Sequence, residues 1–292
     1  MSEMFCFQCE QTAAGTACLK SGVCGKKPDV AGLQDRLTGE IIALAGASGG
    51  KADEKIIGLI LEGLFITVTN VNFDEQSIRS QIARTAEARL SLGGAASSAA
   101  AFDMGRIWNA DEDTRSLKSL LLFGLRGMAA YAWHARALGH SDSAVDSFFL
   151  KGLTELAGNS AIDKLLAVVL ELGQVNLKCM ELLDAANTGA YGTPVPVSVS
   201  TDVEPGPFIV ISGHDLKDLH ELLKQTEGKG INIYTHGEML PAHAYPGLKK
   251  FSHLKGNFGT AWQNQQKEFE GLPAPALFTT NCIMPVRASY AD

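Results

Sequence analysis

Phe208-Ile209-Val210-Ile211-Ser212-Gly213-His214-Asp215-Leu216 is the stretch that decides the fold. Its apolar run is too short for a helix and stops at a glycine, so it reads as a buried strand. Leu216, Leu219, Leu222 and Leu223 then recur at helical spacing. Two more runs, Ile231-Asn232-Ile233-Tyr234-Thr235 and Ala276-Leu277-Phe278-Thr279-Thr280, read as further strands. Strands alternating with helices imply a parallel sheet with crossovers. In such a sheet the residues just past the carboxyl ends of the strands line one crevice, where ligands bind. His214 follows the first strand, Glu238 the second and Cys282 the third. An imidazole nitrogen, a carboxylate oxygen and a thiolate sulfur together suit iron better than magnesium or calcium, which avoid sulfur. Asp215 is placed to orient His214. The plainer alternative is that three such residues fall in loops by chance.

Upstream, residues 192–207, Gly-Thr-Pro-Val-Pro-Val-Ser-Val-Ser-Thr-Asp-Val-Glu-Pro-Gly-Pro, form a proline-rich extended stretch that reads as a linker. Before it the apolar period is helical. Pro28-Asp29 opens one helix, in which Val30, Leu33, Leu37, Ile41 and Leu44 form a stripe that ends at Gly49-Gly50. Further helices are predicted from Asp53 to Asn70, from an Asp74 cap to Leu90, from Asp113 to Leu138, from Asp142 to Leu156 and from Ala161 to Ala186. The small-residue stretch over 93–101 separates the two sets of three, so the packing expected is a pair of three-helix bundles. Cys179 is expected to be a buried structural thiol and His134 a packed or hydrogen-bonded side chain.

At the front of the chain stand Cys6, Cys9, Cys18 and Cys24, spaced C-x2-C-x8-C-x5-C. This spacing reads as an iron–sulfur site, because the C-x2-C step reaches neighbouring corners of one centre while longer spacers wrap the far side. Zinc remains an alternative, although its structural sites usually repeat a tight pair on both sides of a spacer. Disulfides or free thiols are the other alternative, but Met1-Ser2-Glu3-Met4 leads into the cysteines with no secretory signal pattern. Phe5 and Phe7 could shield a cluster or be ordinary core aromatics.

The chain has 292 residues, enough for two domains, with a formal net charge of -7. No lysine- or arginine-rich tract marks nucleic acid as a partner, and no long apolar run marks a membrane span. A cytoplasmic protein is expected, with Lys26 and Lys27 solvated. No G-x-G-x-x-G follows the first strand, and no G-x-S-x-G occurs, so neither a dinucleotide site nor a serine hydrolase is supported.

The chain resembles the hybrid cluster proteins, also called prismane proteins or hydroxylamine reductases. The resemblance runs through Met4-Phe5-Cys6-Phe7-Gln8-Cys9-Glu10-Gln11-Thr12, Gly22-Val23-Cys24-Gly25-Lys26, Leu33-Gln34-Asp35 and Thr69-Asn70-Val71-Asn72-Phe73. It continues through Glu181-Leu182-Leu183-Asp184, Asn187-Thr188-Gly189, Ser212-Gly213-His214-Asp215-Leu216 and Tyr234-Thr235-His236-Gly237-Glu238-Met239-Leu240-Pro241-Ala242-His243. Gly256-Asn257-Phe258-Gly259 and Thr279-Thr280-Asn281-Cys282 close the series in family order.

That resemblance implies an oxygen-sensitive, anaerobic redox protein with two iron–sulfur centres. The quartet is similar to the family's electron-entry site in its 4Fe-4S form. The family's second centre is a hybrid 4Fe-2S-2O cluster held by a histidine, two glutamates and four cysteines, one a persulfide, and His214, Glu238 and Cys282 match the first three. The remaining ligands have no counterpart before Asp292, so the chain is expected to be a truncated, split or engineered portion, or one completed by a second polypeptide, with the hybrid cluster incomplete or absent. Two functions follow as expectations. One is a hydroxylamine reductase-type oxidoreductase that takes electrons from a donor protein and reduces a small nitrogen substrate, hydroxylamine to ammonia or nitric oxide to nitrous oxide. The other is an electron-transfer iron–sulfur fragment with only the quartet filled. The expected fold is multidomain α plus α/β: a cluster loop over 1–28, a helical domain over 29–191, a linker over 192–207 and an incomplete, Rossmann-like parallel-sheet domain over 208–292.

Overall fold

Acidic side chains set the helix starts. Asp53, Asp74, Asp111 and Asp142 each turn a carboxylate onto N–H groups that have no partner within their own helix. The resulting helices are α1 (Pro28–Ala47), α2 (Glu54–Ile66), α3 (Glu75–Ser91), the single turn α4 (Gly105–Trp108), α5 (Glu112–Ala137), α6 (Ser143–Ala157) and α7 (Ile162–Tyr191). The computed structural model describes residues 4–6, 8–9, 15, 17–51, 53–93 and 102–291. Phe7 and residues 94–101 of the small-residue stretch lie outside the described residues.

The chain folds as α plus α/β and divides into two compact units, Met1–Val68 with Asn72–Asp184, and Thr69–Val71 with Ala185–Asp292. In the first unit, α1 packs on α2, α3 and α6, and α2 packs on α5. One apolar core therefore serves both triplets of helices, with Leu37, Ile41, Ile60, Leu125, Phe149 and Leu153 fully enclosed. A buried ion pair, Arg89 Nε to Glu40 Oε2 at 3.1 Å, fastens α3 to α1. Cys179 lies in this core with its thiol on the Met128 carbonyl, and burial pushes the thiol pKa up to about 12. His134 packs edge-on against Phe65 at 5.3 Å.

Helix α2 ends at Ile66 rather than reaching Asn70. Thr67 Oγ1 bonds back to the Leu64 carbonyl, and Asn70 adopts φ 62, which no α-helix accommodates. Helix α7 continues past Ala186 to Tyr191, where Gly192 with φ 86 supplies the left-handed residue that stops a helix.

The second unit is built on β1 (Phe208–Ser212), α8 (Leu216–Thr226), β2 (Asn232–His236), β3 (Leu254–Phe258) and β4 (Ala276–Phe278). The strand order is β3-β2-β1-β4 and every pairing is parallel. Ile211 sits opposite Thr235 on one side and Leu277 on the other. Val210, Tyr234 and Phe269 form the buried centre of one face. Strand β3 was not expected, since Leu254-Lys255-Gly256-Asn257-Phe258 carries a lysine, a glycine and an asparagine. It is a strand because it is paired on both sides: β2 flanks it, and Ser200 of the extended proline-rich stretch bridges Gly256 and accepts the Asn257 N–H at 2.9 Å. Among the described residues no helix is long and apolar enough to cross a membrane.

A Cβ on Gly256 would meet the Ser200 carbonyl oxygen at 2.3 Å, whereas one on Gly32, within α1, would meet nothing within 4 Å. Gly256→Ala should therefore destabilise the protein by about 1–3 kcal/mol through overpacking, and Gly32→Ala should stabilise it by roughly 0.5–1 kcal/mol through helix propensity. Denaturant midpoints measured on the two variants check the opposite signs.

Candidate metal centres

The cysteine loop folds back on itself. Cys6 and Cys18 form an antiparallel bridge, each N–H donating to the other's carbonyl at 3.1 Å. Cys24 sits in a turn closed by Gly22 N–H to Lys26 carbonyl at 2.8 Å, with Gly25 at φ 87. Gly22 is required by proximity, since a Cβ there would lie 3.0 Å from the Cys24 sulfur. Cys6 and Cys18 are buried beside Met4 and Ala31, while Cys9 and Cys24 are half-buried. Phe5 is 48 % exposed, so Met4 and Ala31, not Phe5, cover the first thiol.

Two cations are buried among these thiols. Lys26 is only 1 % exposed and donates to Gln34 Oε1 of α1, contrary to the expectation that it is solvated; Lys27 is exposed. Burial draws the Lys26 pKa down, opposed by the negative charge that Cys6, Cys24 and Cys9 offer it. Arg126 arrives from α5. It donates from Nη1 to the Gln8 carbonyl at 3.2 Å and from Nη2 to Thr38 Oγ1 at 3.0 Å. Burial lowers its pKa to about 10, against the pull of Asp35, Cys6 and Cys9. Among the described residues its Nε has no partner, and neither does Gln8 Oε1. Burial raises the Cys6 thiol, with Lys26 pulling the other way. It also raises the Asp35 carboxyl to about 6, against Arg126 and Lys26, and Gln8 Nε2 donates to Asp35 Oδ1.

This donor set fits a metal–thiolate cluster. Ligating cysteines are thiolates, and a desolvated anion needs buried cations and donors near it; Lys26, Arg126 and the unpaired Arg126 Nε supply both. Of these partners, Lys26 adjoins the Cys24 turn and Gln34-Asp35 lies in a block already noted, but nothing in the pattern of α5 singled out Arg126.

The second set of candidate residues occupies one edge of the sheet. His214 is exposed just past β1, with its N–H bonded to the Thr280 carbonyl at 2.9 Å. Glu238 is exposed near the start of a 3-10 segment, Gly237–Ala244, that follows β2. Cys282 is half-buried beyond β4 at φ 50, directly after Asn281 at φ 66. Two consecutive left-handed residues, neither of them glycine, re-aim the chain there at an energetic cost. Burial raises the Cys282 thiol to about 11, and the charge of Glu238 adds to the rise. Asp215 is buried, its Oδ2 accepting from Thr280 Oγ1 at 2.5 Å.

A hydrogen-bond network that sequence reasoning missed, ending on the Glu268 carboxylate, ties the three loops together. Gln265, fully buried, donates to Ser212 Oγ at 2.8 Å and accepts the Met284 N–H at 2.7 Å. Ser212 Oγ in turn meets His236 Nδ1 at 3.0 Å, and His236 Nε2 meets Glu268 Oε2 at 2.8 Å. Ser212, His236 and Met284 each stand two residues from His214, Glu238 or Cys282. From the far side of the Cys282 loop, Asn70 exchanges bonds with Ile283 at 3.0 and 3.1 Å. As the side chains stand, neither at this edge nor in the cysteine quartet do three His, Cys, Asp or Glu among the described residues converge closely enough to hold a metal ion. What the fold brings together is the backbone frame and its charges.

A family model described as Prismane/CO dehydrogenase family matches residues 4–292. The chain belongs to the prismane/CO dehydrogenase family. Relatives within it include the hydroxylamine reductase of Syntrophobacter fumaroxidans, 49 % identical over 98 % of this chain and 59 % of the relative. Those of Methanocella arvoryzae and Desulfovibrio desulfuricans are 46 % and 42 % identical, over 98 % and 99 % of this chain and 59 % and 58 % of their own lengths. The chain thus spans under two thirds of the length of the relatives it matches. Among solved structures, a carbon monoxide dehydrogenase from Thermococcus sp. AM4 is similar at a TM-score of 0.36 and 15 % identity, over 97 % of this chain and 47 % of that one.

Two outcomes follow from these geometries. Asp35 has a folded pKa above its unfolded value, so it binds its proton more tightly in the native state; its contribution to the stability of the metal-free chain is complete below about pH 4 and lost as pH rises through about 6. Comparing the pH dependence of unfolding in Asp35→Asn with the parent should show that component gone. Gln265→Leu orphans the Met284 N–H, at about 1–3 kcal/mol, leaves Ser212 Oγ with His236 alone, and should speed modification of Cys282 by a thiol reagent.

Proposed function

We propose that the chain acts as an iron–sulfur redox protein, with Cys6, Cys9, Cys18 and Cys24 holding a 4Fe-4S cluster that receives electrons from a donor protein. The observation that carries this reading is the burial of Lys26 and Arg126 against the quartet, two cations for which Asp35 is one counter-charge and thiolates of the quartet would supply the rest. When bound, such a cluster supplies one-electron storage. The chain's own residues do the rest. Met4 and Ala31 exclude water from Cys6 and Cys18, and the two cations balance the thiolates.

At the sheet edge, His214, Glu238 and Cys282 are the residues that would contribute to a second iron centre resembling the hybrid 4Fe-2S-2O cluster. The relatives are named hydroxylamine reductases, which supports a small nitrogen substrate. Reduction of hydroxylamine to ammonia and water takes two electrons and two protons; coupling two molecules of nitric oxide to nitrous oxide and water takes the same. His214 and Glu238 are exposed, so an imidazole nitrogen and a carboxylate face the solvent from which such a substrate and its protons arrive, while half-buried Cys282 anchors the inner side.

A second reading, electron transfer through the quartet alone, is favoured by the small number of donors at the sheet edge, three side chains for a four-iron centre. Iron and acid-labile sulfide counts on anaerobically purified protein separate the two. About eight irons per chain support both centres, about four support the carrier, and zinc without iron overturns both. Cys9→Ala should abolish the quartet's iron and leave the remainder.

A further inference from the structure

We infer that Arg126 is the residue through which the helical bundle sets the reduction potential of a cluster held by Cys6, Cys9, Cys18 and Cys24. The inference rests on the iron–sulfur reading of the quartet and adds to it a tuning group that ligates nothing. Arg126 is 2 % exposed and lies 118 residues along the chain from Gln8, whose carbonyl it holds at 3.2 Å. Gln8 stands between Cys6 and Cys9, so the guanidinium is seated at the C-x2-C step itself. Its other anchor is Thr38 Oγ1 at 3.0 Å on α1, and its Nε, among the described residues, has no protein acceptor.

Arg126 keeps its proton at pH 8 even with burial lowering its pKa to about 10, so the charge is in place during the measurement. Buried this deeply, it is poorly screened by salt or water. When the cluster accepts one electron from a one-electron reductant, its net charge falls by one unit. A fixed cation beside it stabilises that reduced state more than the oxidised one, and so raises the potential; net charge is one of the levers that set such potentials. Asp35 opposes the effect, being half-buried on α1 within the field of Arg126 and bonded from Gln8 Nε2. The quartet loop is thus poised between one cation from α5 and one carboxylate from α1.

The test is a dithionite titration of the anaerobically purified full chain, followed by the electron paramagnetic resonance signal of the reduced cluster, with iron content measured on each variant. At the wild-type midpoint, Arg126→Gln should move the reduced-to-oxidised ratio at least tenfold toward oxidised, equivalent to 59 mV for one electron. Arg126→Lys should stay within about threefold of the parent, because it restores the charge. Asp35→Asn at pH 8 should shift the ratio toward reduced. An unmoved midpoint in Arg126→Gln, or equal shifts in the Gln and Lys variants, overturns the inference while leaving the cluster reading intact. If Arg126→Gln fails to load iron, Asp35→Asn decides: a shift toward reduced supports the charge balance and no shift overturns it. A wild-type chain with no iron overturns the cluster reading and this inference with it.

Discussion

Lys26 and Arg126 stand out of water beside the thiols of Cys6, Cys9 and Cys24, and that single arrangement governs the first unit. Burying an ion costs several kcal/mol unless an opposite charge and hydrogen bonds offset it. The offset comes from Asp35 and the cysteine loop, together with Gln34, Thr38 and the Gln8 carbonyl. A loop with few large apolar side chains cannot be located by packing. It is located by charge, and so its geometry depends on α1 and α5 holding their places around the shared core. The hydrophobic bundle is in this sense the support of a polar site.

The sheet edge is organised on a different principle. All its strand pairings are parallel, so β1, β2 and β4 release their chains on the same side, each into a loop with one candidate donor. Alignment of those loops falls to hydrogen bonds, with Gln265 bridging the β1 end and the Cys282 loop and His236 linking the β2 end to the Glu268 carboxylate. The charges in this frame are carboxylates, Glu268 and Asp215, whereas the quartet's surroundings add cations.

Much of this was legible in the residue order because it follows from local rules. Aspartates before apolar periods marked the helix starts, and short apolar runs ending in glycine or polar residues marked β1 and the strand edge. Strand β3 was not legible because its state is conferred by neighbours on both sides, one of them 56 residues upstream at Ser200. Lys26 read as solvated because a lysine pair after a turn usually is; only the arrival of Gln34 and the thiols makes its burial tolerable. Arg126 and Gln265 carry no periodic signal at all. Each is one polar side chain on a helix or turn, and its role exists only once distant segments meet.

Cys179 has a consequence of its own for working with this protein. With its thiol enclosed on the Met128 carbonyl and its pKa near 12, it is closed to alkylating and oxidising reagents while the first unit stays folded. Five of the six cysteines therefore answer for the two candidate centres, and the sixth keeps silent. Its first appearance in a labelling time course dates the opening of the helical core, a built-in clock that needs no engineered probe.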